Sequence, residues 1–287
     1  MGKPRDRCAP PMAARRPVRY DRVDGRPADV HVRAMHEILA RADNAGIPPI
    51  TSAAFSLVPS SAACGLAGFQ GRTVGAFTAE STSMRHGAIV LCGGRSSRMG
   101  RDKATLPFGP ELMLQRVVRL ISEVVKPEHI VVVAAAQQNL PPLPGDIAVA
   151  RDARPGRGPL EGLAAGLRLI GGQLDAVYAT ACDVPLLVPA FARHLFTLLE
   201  DYDIAVPTEG DFHHPLAAVY RPRVLPAIER LLAAGELRPR ALFAAVATRE
   251  VPVDELRCVD PRLETLLNLN RPEDYHSALV AAGFAAP

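Results

Sequence analysis

The stretch GAIVLCGGRSSRMGRDKATLPFG, Gly87 to Gly109, opens with small and β-branched apolar residues that stop at a glycine pair. This is the pattern of a strand buried on both faces. The chain then turns cationic, with Arg95, Arg98, Arg101 and Lys103, and ends in a Pro-Phe-Gly turn. Gly93 and Gly94 lack Cβ atoms, so a ligand can approach their main chain and accept hydrogen bonds from free amides. Guanidinium and ammonium groups suit phosphate oxygens. A lone glycine pair is an ordinary turn, and either cation alone is an ordinary surface charge. Together, behind a buried strand, they predict a phosphate-binding loop. It is not a Walker loop, because Gly100 is followed by Arg101-Asp102-Lys103, and adjacent glycines do not make GxGxxG.

The same alternation continues outward. GAIVLC, HIVVVAA, DIAVA, DAVYATAC, DIAVP and PLAAVY read as strands. Between and after them Leu112–Val125, PLEGLAAGLRLI, Pro189–Glu200 and Arg223–Ala234 read as helices, with Pro159 and Pro272 at helix starts. Strands apolar on both faces alternating with helices predict a three-layer α/β fold around a mostly parallel sheet. Ligands of such sheets bind where loops leave the carboxyl ends of strands. Three places qualify: Cys92–Lys103, Asp152–Gly158 and Asp183.

Asp183, in TACDVPLLVP, ends an apolar strand and offers hard oxygens of the kind Mg²⁺ takes alongside substrate phosphates. The alternative is a turn or capping aspartate for the helix near Pro189. Asp152, in RDARPGRGPLEGLAAGL, precedes a helix start that would attract an anion, or could itself accept from a base or sugar. The alternative is a glycine- and proline-built loop into a core helix. Asn268 and Asn270, in LLNLNRPEDY, share a face if that segment is extended, although Asn270 could instead cap the following helix. His213 and His214 have no zinc-type spacing around them and read as loop residues near the substrate. No serine stands in a GxSxG elbow, and Cys182 carries no local sign of a nucleophile.

Composition bounds the rest. With 287 residues and 48% hydrophobic residues, the chain can bury a large core, but 5% aromatics and no tryptophan make that core aliphatic. A net charge of +3 without a basic face argues against nucleic acid as a partner. Five scattered cysteines without a CxxC pair predict free thiols in a reducing, cytoplasmic setting. No apolar run has membrane-spanning length. Residues 1–83 are rich in Arg, Pro, Ala and Ser and, apart from a possible helix at Val30–Ala45, read as a disordered or non-native extension. They contain no secretory core, and SLVPSSAACG places Cys64 too deep for lipidation. Met84 is the expected start of the working protein, with residues 84–287 as its domain, and a functional basic tail is the rival.

Taken in order, LCGGRSSRMGRDKATLPFG, RDARPGRGPLEGLAAGL, ATACDVPLL, HHPLAAVYRP and NLNRPEDY resemble the Rossmann-like nucleotidyltransferases, and most closely the molybdenum cofactor guanylyltransferase family. The first block carries most of the specificity, through GGxSxRMGxDK. The resemblance implies transfer of GMP from GTP to the phosphate of molybdopterin, with Mg²⁺ as cofactor and pyrophosphate as product. It implies a main-chain nucleotide loop at Leu91, Cys92, Gly93 and Gly94, a phosphate lysine at Lys103 and a nucleotide-contacting Asp152. It also implies a metal site of Asp183, Asn268 and Asn270, with Lys103, Arg98 and Asp183 catalytic. Cys92 stands where alanine is common, and Arg271 where a threonine often precedes the proline. GTP, molybdopterin and other cofactor-biosynthesis or molybdoenzyme proteins are the implied partners. Arg154, Arg157 and His214 are positional candidates for the pterin. The rivals are a cytidylyltransferase of the same cofactor, a transferase for other small phosphates, and a nucleotide-binding regulatory domain without turnover.

Overall fold

The computed structural model describes residues 84–92, 102–152, 154 and 156–284. Gly93, Gly94 and Arg98, the N-terminal segment 1–83 and its helix expected at Val30–Ala45 lie outside them.

An eight-stranded sheet forms the middle layer. Its strands are β1 (His86–Leu91), β4 (Ile130–Ala135), β5 (Ala148–Asp152), β6 (Ala176–Ala181), β7 (Ile204–Glu209), β8 (Phe212–His213), β9 (Ala218–Tyr220) and β10 (Thr248–Pro252). Across the sheet the order is β10-β7-β9-β6-β1-β4-β5, with β8 beside β7. β1 runs parallel to β4 and β6, β4 to β5, and β10 to β7. β9 is antiparallel to both β6 and β7, and β8 to β7. The sheet is therefore mostly parallel, as expected. A separate small hairpin pairs β2 (Pro107–Phe108) with β3 (Glu111–Leu112).

Side-chain alternation along β1 divides the core. Ala88 and Val90 face one apolar cluster, with α1 (Met113–Ser122) and α3 (Pro189–Leu198). Ile89 and Leu91 face the other, with α2 (Pro159–Ile170), α4 (Leu225–Ala233) and α5 (Pro239–Ala245). Three layers result, because the central strands are apolar on both faces and need a helical cover on each. α2 approaches β1 closely because Gly162 and Gly166 face it. A Cβ on Gly166 would lie 2.8 Å from Ile89 Cγ2, and one on Gly162 would lie 3.1 Å from Leu91 Cδ2. α6 (Val253–Leu256) and α7 (Pro272–Ala281) complete the described helices.

Several expected elements are shorter than predicted. The helix at Leu112–Val125 spans Met113–Ser122, and PLAAVY forms a strand only at Ala218–Tyr220, because Ala217 N–H donates to His214 O and turns the chain first. β5 begins two residues beyond Asp146 and reaches Asp152.

Candidate active site

After β1 the chain builds outward to β4 and β5, then crosses back to place β6 on the other side of β1. The carboxyl ends of β1 and β6 therefore flank the topological switch point, where a crevice opens in doubly wound sheets. Cys92 N–H donates to Val133 O at 2.8 Å, and Cys182 N–H to Leu91 O at 3.0 Å, so the end of β1 is held from both sides. Leu91 and Cys92 are buried in this floor.

Three expected residues meet above it. The Lys103 ammonium donates to Asp183 Oδ2 at 2.8 Å and to Asn270 Oδ1 at 3.0 Å. They are 80 and 167 positions away in sequence, and each is placed by a different device. Asp102 accepts from Ala104 N–H at 3.0 Å and so starts the single 3₁₀ turn Lys103–Thr105 that carries the lysine. Asp183 follows the fully buried β6. Asn270 is delivered by Leu269, which is buried and donates its N–H to Asp183 O at 2.9 Å. Asn268 and Asn270 are exposed on either side of Leu269, the shared face that their spacing predicts. Asn270 does not cap α7 with its side chain. Asp274 instead accepts from the amides of Asn270 and Arg271 at 3.0 and 2.9 Å. The Asn268 carbonyl accepts from Asn270 Nδ2 at 3.5 Å.

A small satellite core secures this arrangement. Leu106, Phe108, Met113, Leu186, Leu269, Ala278 and Leu279 pack together, joining the β2–β3 hairpin, the segment after Asp183 and α7. Arg116 lies 5.0 Å over the Phe108 ring and donates to Pro185 O at 2.7 Å. The Tyr275 hydroxyl donates to Pro107 O.

The other candidates are placed apart from this triad. Asp152 ends β5 on the same sheet edge. It is three strand steps from β6, at roughly 4.8 Å each, and accepts from Arg154 N–H at 2.8 Å. Arg157 turns inward, donating to Leu232 O at 2.7 Å and lying 3.7 Å from the buried Glu161 carboxylate. His213 pairs with Glu250 at 2.9 Å and stacks on Phe243. His214 is buried with its ring edge-on to Phe212, and Arg154 is exposed.

A hydrogen bond with Cys92, and then burial, push the Cys182 thiol well above its usual range. A thiol so protonated is a poor nucleophile, which agrees with the absence of a nucleophile signal in the sequence. Two residues escaped sequence reasoning. For Asp102 the available signal was a helix-start residue just before Lys-Ala-Thr. Gln138 bonds to Cys92 and Asp102 from the loop after β4, and nothing in AAAQQNLPP marks it.

Residues 88–251 match the family described as MobA-like NTP transferase domain. The chain is 34% identical over 194 residues to the probable molybdenum cofactor guanylyltransferase of Pelotomaculum thermopropionicum, covering 68% of this chain and 92% of that protein. The protein of the same name from Mycobacterium avium is 38% identical over 181 residues, covering 61% and 89%. Among solved structures, the chain resembles molybdopterin-guanine dinucleotide biosynthesis protein A from Archaeoglobus fulgidus, with a TM-score of 0.55 and 22% identity over 70% of this chain and 99% of that one. It also resembles 2-C-methyl-D-erythritol 4-phosphate cytidylyltransferase from Thermus thermophilus, with a TM-score of 0.52 and 13% identity over 69% and 99%. At these identities the likeness is one of fold.

Proposed function

The chain belongs to the MobA-like NTP transferase family, nucleotidyltransferases of molybdenum cofactor biosynthesis, and on that premise we propose that it transfers GMP from GTP to the phosphate of molybdopterin. The observation that carries the reading is the convergence of Lys103, Asp183 and Asn270 at the switch point of the sheet.

In this reaction an oxygen of the molybdopterin phosphate forms a bond to the α-phosphorus of GTP. The bond from that phosphorus to the bridging oxygen breaks, and pyrophosphate leaves with the electron pair. The attacking phosphate is already anionic, so no serine, cysteine or histidine nucleophile is needed. The protein's tasks are alignment and charge neutralisation. The family resemblance assigns phosphate contacts to the main chain of Leu91, Cys92, Gly93 and Gly94, the nucleoside contact to Asp152, and neutralisation of the phosphate oxygens to Lys103 with Arg98.

The donor set fits a divalent cation. Asp183 Oδ2 and Asn270 Oδ1 are hard oxygens that already face one positive centre, the Lys103 ammonium. One carboxylate plus substrate phosphates is an ordinary magnesium set. Asp183 and Asn270, with Asn268 beside them, would hold Mg²⁺, and the chemistry such an ion supplies is neutralisation of phosphate charge.

Of the positional candidates for gripping the pterin, Arg154 is exposed and suits the role, whereas the Arg157 guanidinium is engaged inside the protein and the His214 ring is buried. Cys92, Cys182 and Cys258 are free thiols, which supports a cytoplasmic setting. No described helix is long and apolar enough to cross a membrane. Handover of the finished cofactor to another cofactor-biosynthesis protein or a molybdoenzyme completes the reading.

The test is pyrophosphate release from GTP, Mg²⁺ and molybdopterin, with CTP replacing GTP in a parallel reaction. Release with GTP alone supports the reading. Release with CTP alone replaces it with the cytidylyl activity, and binding of GTP without release makes the chain a nucleotide-binding module.

A further inference from the structure

We propose that Gln138 is a positioning residue that ties Asp102 to Cys92 at the end of β1 through one carboxamide and so delivers Lys103 to Asp183. Gln138 Nε2 donates to Cys92 O at 3.2 Å, where the chain leaves β1, and to Asp102 Oδ1 and Oδ2 at 3.0 and 2.9 Å, where it returns. All three partners are acceptors, and Ala135 N–H donates to Gln138 Oε1 at 3.2 Å. The surroundings thus assign both ends of the amide.

Gln138 is itself fixed. Arg151, on β5, donates to the carbonyls of Gln138 and Ala135 at 2.7 and 3.2 Å. Downstream, the Asp102 oxygen that Gln138 orients also accepts from Ala104 N–H at 3.0 Å. A path of contacts therefore runs from β5 through Gln138 and Asp102 to the 3₁₀ turn that bears Lys103. The inference rests on the reading that Lys103 meets nucleotide phosphates, and it adds a residue that acts on that lysine through Asp102.

Two variants of the full-length chain separate a positioning role from a merely structural one. Gln138→Leu keeps bulk and removes the donor. Gln138→Glu keeps shape but sets a carboxylate against Asp102. Like charges raise each other's pKa, so as pH falls the introduced carboxyl regains a proton and can donate to Asp102 again. GTP binding with Mg²⁺ is followed by calorimetry, and exchange of the Ala104 amide by NMR. Loss of hydrogen bonds to a charged group should weaken GTP binding by roughly 10-fold or more in Gln138→Leu, and Ala104 exchange should quicken. In Gln138→Glu, affinity relative to the unaltered protein should recover from about pH 8 toward about pH 6, with Gln138→Leu showing no such recovery.

Unchanged affinity in Gln138→Leu, with or without faster exchange, overturns the role, as does a pH-independent deficit in Gln138→Glu. If the unaltered protein binds no GTP, the guanylyl reading fails. Ala104 exchange then judges the clamp alone: unchanged exchange in Gln138→Leu overturns it, and faster exchange upholds it.

Discussion

Lys103 and Asp183 bond to each other, and their loss should have different consequences. Asp183 keeps the Leu269 segment in place through its backbone carbonyl, and its side chain is only partly buried. Asp183→Ala should therefore abolish GMP transfer while leaving the unfolding midpoint close to that of the parent. Near-normal turnover would remove it from the site. Lys103→Ala should lower the transfer rate by about 10²-fold, the scale of removing one preorganised charge stabiliser. An unchanged rate in single-turnover kinetics would exclude it from phosphate contact. Asp183 could be singled out from sequence because it follows a wholly apolar strand at the ligand-facing end of the sheet, although a turn or capping aspartate reads the same way there. Gln138 could not, since a glutamine in a polar loop carries no period, spacing or composition signal until its partners are known.

Among the elements, α2 makes the sharpest demand on its sequence. Gly166 leaves room for Ile89, and a Cβ there would come within 2.8 Å of Ile89 Cγ2. Gly166→Val should cost about 2 kcal/mol or more, because overpacking a filled core outweighs the roughly 1 kcal/mol of helix propensity that glycine forgoes. Gly172→Ala is the control. Its Cβ would meet nothing within 4 Å, and its effect should stay within about 0.5 kcal/mol. Urea unfolding measures both, and equal effects would refute the close approach. The strongly periodic elements were readable: α2 runs over the predicted Pro159–Ile170. β10, α5 and α6 were not. Val251 is the one buried residue of the edge strand β10, so a half-exposed strand with charges on it shows neither alternation nor an apolar run.

At the scale of the molecule, the active edge depends on a core that gathers distant segments. Leu269 is 1% exposed in the satellite cluster. Leu269→Ala should cost about 2–5 kcal/mol and weaken Mg²⁺-dependent GTP binding, because Asn270 is held through it. A stability loss without a binding loss would separate the two. The opposite edge sets an acid limit. His86 stacks on Phe196 at 4.0 Å, and burial lowers its pKa from the ordinary 6.5 against the pull of Asp175. Below that value the unfolded chain takes up a proton that the folded one resists, so this contribution to stability is complete above about pH 6.5 and is lost as pH falls. His86→Phe keeps the stacking and removes the titration. The stability difference between variant and parent should therefore shift toward the variant below that pH, and a flat difference would exclude the effect.

From sequence alone came the α/β class, the buried strands, the bounds of α2 and the candidates for phosphate and metal chemistry. All of these rest on short-range patterns: periodicity, glycine and proline placement, and residue type at a strand's end. The tertiary structure decided which strands run backwards, how the chain crosses at the switch point, and that Lys103, Asp183 and Asn270 share one point. It also decided that Gln138 joins Cys92 to Asp102. Those facts arise from contacts between residues far apart in the chain, and such contacts exist only once both faces of the sheet have been covered.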